Sequence, residues 1–79
     1  MITVLFFGPV AERVGTNRLD VAYRDGMSLQ ELRAQLQTQY PDAFELVSLA
    51  AVDGTHFRDM SVPLADGCEV VFMSKFSGG

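Results

Sequence analysis

The sequence predicts a two-layer α+β domain, a mixed sheet of about five short strands with one main helix packed on one face. Three observations predict it. The first and last apolar runs, ITVLFF at 2–7 and CEVVFM at 68–73, are hydrophobic at both parities. Strands of that kind are buried on both sides and belong at a sheet centre. Only one longer segment, MSLQELRAQLQTQY at 27–40, has both helical periodicity and a helix start signal. Asp-Gly pairs at 25–26, 53–54 and 66–67 then cut the chain into short pieces, which is turn chemistry.

Taken in order, the first strand places Ile2, Val4 and Phe6 on one face and Leu5 and Phe7 on the other. PVAERVG follows as one or two helical turns, with Pro9 suited to the first turn and Gly15 to the stop. RLDVAYR at 18–24 sets Leu19, Val21 and Tyr23 against Asp20, Ala22 and Arg24, a strand with one wet face. Ser28 caps the main helix, Glu31 completes a capping box, and Met27 with Leu32 forms a hydrophobic staple. Leu29, Leu32, Leu36 and Tyr40 make its apolar stripe. Pro41 ends it, because a proline pushes the preceding residue out of helical geometry. ELVSLAAV at 45–52 reads as a helical start passing into a strand, and Asp53-Gly54 turns that strand into a short partner, THF. VPLADG at 62–67 is irregular, and CEVVFM closes the sheet.

At 79 residues the chain is one domain, 1–79, and 48% hydrophobic content is ample for a core. The net charge is −4 and the few basic residues are scattered, which speaks against nucleic acid and suits solubility or a basic protein partner. No apolar run reaches membrane-spanning length, and MITVLFFGP lacks the cationic leader and cleavage site of a signal peptide. A single cysteine, Cys68, excludes an internal disulfide and fits a reducing compartment; the expected location is the cytoplasm. One cysteine and one histidine make no metal cluster, and the phosphate-binding glycine motifs and a Ser/His/Asp spacing are missing. A self-sufficient enzyme with a stably bound cofactor is not expected.

If Ile2, Val4, Phe6, Val70 and Phe72 face the helix, Leu5, Phe7, Val71 and Met73 form an apolar outer face, and Thr3 and Glu69 point the same way. Small monomers rarely leave such a patch bare. Either turns around Val10 and Val14 cover it, or it binds a protein with Phe and Met as anchors. The second reading is favoured, because so short a chain has little left to cover it. A flexible tail, 74–79, leaves this face. Phe76 has nothing left to pack on, and Gly78 and Gly79 let an extended end thread a channel where any Cβ would clash. The terminal carboxylate is a poor electrophile until activated, as in an acyl-adenylate, so ATP and metal belong to a partner. Taken alone, a glycine pair is a weak signal and reads as a frayed end. Cys68 reads as an ordinary small residue, His56 as a surface side chain, and Glu12 and Arg13 as the wet side of a short helix.

The whole chain resembles the small subunits of molybdopterin synthase, sulfur carriers of the ubiquitin-like β-grasp family. The resemblance rests on VLFFGPVAERVGT, LAAVDG, PLADGCEVVFM and the terminal SGG. Val10, Glu12 and Gly15 match the family's V-x-E-x-x-G segment. Pro63, Leu64, Asp66, Gly67, Glu69 and Val70 match its P-L-x-D-G-x-E-V closing. Where the family commonly has F-P-P before its tail, this chain has MSKF at 73–76, which leaves the tail less stiff.

The resemblance implies a β-grasp fold and a division of labour. Gly79 would be adenylated by an E1-like enzyme using ATP and converted to a thiocarboxylate by a sulfur donor protein. Phe76, Ser77 and Gly78 would thread into the large subunit, and the sulfur would pass to cyclic pyranopterin monophosphate to build the molybdopterin dithiolene. The large subunit would hold the catalytic residues within a heterotetramer, leaving this chain as a non-catalytic sulfur-donor subunit. Leu5, Phe7, Val71 and Met73 would dock both partners. Sulfur carriers for the thiamine thiazole, or for another thio-metabolite, share the fold and the tail and are the alternative. They tend to be shorter where this chain has GPVAERVG, which favours the molybdopterin branch. A third reading is an interaction domain that carries no sulfur.

Overall fold

In the computed structural model, which describes residues 1–74, the elements follow as β1 (Ile2–Phe6), α1 (Gly8–Val14), β2 (Arg18–Val21), α2 (Leu29–Gln39), α3 (Pro41–Phe44), β3 (Leu49–Val52), β4 (Thr55–Phe57) and β5 (Glu69–Met73). The sheet order is β2-β1-β5-β3-β4. The two strands apolar at both parities, β1 and β5, are both interior, and they pair in parallel with Val4 beside Val70 and Phe6 beside Phe72. The outer pairings are antiparallel.

The core forms where the sheet meets the helices. Ile2, Val4, Phe6, Val70 and Phe72 are fully buried, facing Leu29, Leu32 and Leu36 of α2 and Phe44 of α3. Phe44 sits edge-on to Phe6 and Phe72 with ring centres 6.2 and 5.1 Å away, a geometry worth about 0.5–1.5 kcal/mol per pair beyond area burial.

Local signals explain the helices. The Glu31 N–H donates to Ser28 Oγ at 3.2 Å, and the staple residues Met27 and Leu32 are buried. The Glu31 carboxylate lies 3.8 Å from the Arg24 guanidinium. The irregular 60–64 segment serves the same helix end. Carbonyls of Val62 and Met60 accept the Leu29 and Gln30 amides at 3.0 and 2.7 Å, satisfying first-turn donors that have no partner within a helix. α1 has Pro9 in its first turn, and its C-cap Gly15 adopts φ +91°, a left-handed stop that a glycine accommodates without a Cβ clash.

Three expectations are corrected. The strand expected over 18–24 ends at Val21, because Val21 pairs with Ile2, the first residue of β1, and β1 has no strand residue beyond it. The inward and outward alternation still continues through Arg24. Pro41 ends α2 but also opens α3, where a proline suits the first turn; the helical start expected from Glu45 therefore lies earlier. Ser74, expected as the first tail residue, is only 5% exposed and belongs to the body.

Candidate functional site

The sheet face turned away from the helices is organised by strand register. Arg18 pairs with Leu5, Leu5 with Val71, Val71 with Ala51 and Ala51 with His56. Directly opposed residues share a face, so these five form one row across all five strands. On one side of the row, Leu49 pairs with Met73. Phe7 lies there too. Its φ of −133° and ψ of 155° continue the strand alternation, so it turns away from the buried Phe6. On the other side stand Asp20, Thr3 and Glu69, paired in sequence across β2, β1 and β5. The face is therefore apolar toward the end of β5 and acidic toward its start.

The structure brings Leu5, Phe7, Val71 and Met73 together on this face. Phe7 is 50% and Leu49 41% exposed. The turns around Val10 and Val14 do not cover it: Val10 is fully buried in the core, and Val14 packs against that core. Leu49 and Ala51 escaped the sequence reading. LAAV shows which residues alternate, but only the pairing of β3 with β5 decides which of them look outward.

Ser48 donates its N–H to the Met73 carbonyl at 3.0 Å, fixing the end of β5. Lys75 and the expected tail residues Phe76, Ser77, Gly78 and Gly79 lie outside the described residues. Cys68 is a buried core residue. His56 is exposed at the rim of the outer face. Among the described residues no group of three or more His, Cys, Asp or Glu side chains is placed to hold a metal, and no helix is long and apolar enough to cross a membrane.

A mixed five-stranded sheet with its helices on one side and its first and last strands parallel at the centre is the ubiquitin-like β-grasp. The same fold is found in SAMP1 of Haloferax volcanii, with a TM-score of 0.82 at 17% identity over 99% of this chain and 98% of that one. The chain belongs to the ThiS family, whose profile matches residues 4–79. It is 39% identical to the molybdopterin synthase sulfur carrier subunit of Escherichia coli, over the full length of both. It is also similar, at 25% identity and a TM-score of 0.72 over 99% of this chain and 97% of the other, to a chain in the complex of subunits 1 and 2 of the molybdopterin-converting factor from Helicobacter pylori.

Proposed function

We propose that this chain is the sulfur carrier subunit of a molybdopterin synthase, acting in the cytoplasm. The observation that carries the reading is the end-to-end match to a subunit of that name. Gly79 supplies the carboxylate. An E1-like enzyme adenylates it with ATP, a sulfur donor protein replaces the adenylate with sulfur, and the resulting thiocarboxylate delivers that sulfur to cyclic pyranopterin monophosphate. No cofactor is held by the chain itself.

The catalytic residues belong to the large subunit, which forms a heterotetramer with two copies of the carrier. Phe7, Leu5, Val71 and Met73 dock on it while Phe76, Ser77 and Gly78 thread its channel. The shape of the domain supports this division. The apolar end of the outer face surrounds the last residue of β5, so a protein seated there meets the chain where it runs on toward Gly79.

The test is the intact mass of the protein after incubation with an E1-like enzyme, ATP and a sulfide source. Exchange of one oxygen for one sulfur, absent when Gly79 is deleted, is the expected result. An unchanged mass, with an activator competent on a known carrier, sinks the carrier reading. Adding the large subunit and its pterin precursor then separates the molybdopterin branch from the thiazole branch.

A further inference from the structure

A groove of about 630 Å³ lies at the open end of the β3–β4 hairpin, opposite its turn. Arg33, His56 and Arg58 line it together with Ser48, Leu49 and Met60, and among the described residues no carboxylate does. That composition runs against the chain as a whole, which has ten acidic residues to six basic ones. The ion pairs among the described residues use the N-terminus, Arg18 and Arg24, and leave the groove arginines out.

Arg33 is positioned without being neutralised. Its Nη2 donates to the Val47 carbonyl at 3.4 Å, and its guanidinium lies 5.8 Å from the centre of the Phe44 ring. Asp59, next to Arg58 in the chain, is engaged elsewhere: its Oδ1 accepts from Ser61 Oγ at 2.6 Å and from the Ser61 N–H at 2.9 Å. Two guanidinium groups and an imidazole thus stand over a partly apolar floor with no carboxylate of the described residues in the lining. Guanidinium forks match carboxylates, and an apolar surround strengthens such pairs relative to open water.

The groove is continuous with the outer face. Leu49 belongs to both, His56 ends the row that begins at Arg18, and Ser48 holds the end of β5. We propose that it docks an acidic segment of the protein partner seated on the outer face, with Arg33 and Arg58 taking its carboxylates. The identity of that partner rests on the function proposed above. The chemistry of the groove does not.

The test is an amide chemical-shift titration of the full chain with an acetylated, amidated hexaglutamate peptide at low salt. Shifts are expected to concentrate at Val47–Ala50 and His56–Met60. They should vanish in Arg58→Glu, persist in Arg13→Glu, and fade with added salt. No shifts, or shifts spread equally around Arg13, Arg18 and Arg24, overturn the proposal. So does movement of the same amides when residues 75–79 are deleted without peptide, because the occupant is then the chain's own carboxylate end. With the large subunit present, the double variant His56→Glu/Arg58→Glu should bind about tenfold more weakly, mainly through a slower on-rate; unchanged affinity counts against the groove. If the unaltered chain does not bind the large subunit, the partner assignment fails and the peptide titration alone decides the groove.

Discussion

Phe6 and Phe7 are neighbours in the chain with opposite environments. Phe6 is fully buried, its ring against Phe44 and Phe72, while Phe7 is 50% exposed at the apolar end of the outer face. Their substitutions should separate stability from binding. Phe6→Ala should cost about 3–5 kcal/mol, most of the stability of a small domain. Phe7→Ala should leave chemical denaturation within about 0.5 kcal/mol of the unaltered chain. It should nevertheless weaken binding to the large subunit by about 2 kcal/mol, the scale of an interface anchor. Calorimetric titration and denaturation on both variants check this. Equal losses of stability at the two positions would refute the assignment of Phe7 to a binding face.

Ser28 provides a cleaner measure of local energetics. Its hydroxyl accepts the Glu31 amide, and α2 supplies Leu29, Leu32 and Leu36 to the core. Ser28→Ala should lower stability by about 1 kcal/mol, and Ser28→Gly by only a few tenths. A loss near zero for Ser28→Ala would show that the cap hydrogen bond contributes little here and that the Val62 and Met60 carbonyls hold the helix end.

The reach of the sequence is clearest at β1 and β5. Their two-sided hydrophobicity placed both inside the sheet and assigned Leu5 and Val71 to the outer face, because side-chain alternation is local and strict. Their parallel pairing was not legible. Thr3 lies beside Glu69, and no local pattern encodes a contact between residues so far apart. The same limit hid Leu49 and Ala51, whose direction depends on the β3–β5 register. It hid the cationic groove too, which draws Arg33 from a helix, Ser48 from a loop and Arg58 from the end of a hairpin. The helix at Pro41–Phe44 was missed for a different reason: a proline signals a helix stop and a helix start with the same residue.

Asp59 carries a pH prediction. The Ser61 hydroxyl, and after it the Ser61 N–H, hold its carboxyl below the usual aspartate range. A folded-state pKa below the unfolded one means that the stabilisation is present above the unfolded value and is lost as pH falls through the folded value. Observed by NMR, Asp59 should titrate lower than an aspartate in an unstructured peptide. Ser61→Ala should move the midpoint only part of the way back, since the backbone donor survives. A midpoint that does not move would assign the effect to the backbone donor alone.

The β3–β4 turn sets the register on which the outer face depends. Asp53 and Gly54 adopt φ of +49° and +85°, a pair of positive values suited to a two-residue hairpin loop. Asp53 also ties the turn to β5: its Oδ1 accepts the Glu69 N–H at 2.9 Å, and its own N–H donates to the Glu69 carbonyl at 2.8 Å. Asn keeps both the tolerance for positive φ and an acceptor oxygen, so Asp53→Asn should be nearly neutral. Asp53→Ala loses both and should cost about 1–3 kcal/mol. Gly54→Ala has open space around its new Cβ, so its loss, about 1 kcal/mol or slightly more, is backbone strain alone. Hydrogen exchange at the Glu69 amide distinguishes the causes: it should accelerate in Asp53→Ala and change far less in Gly54→Ala. Equal acceleration in both would mean that turn strain, rather than the Asp53 carboxylate, keeps β3 aligned with β5 and Ala51 beside Val71.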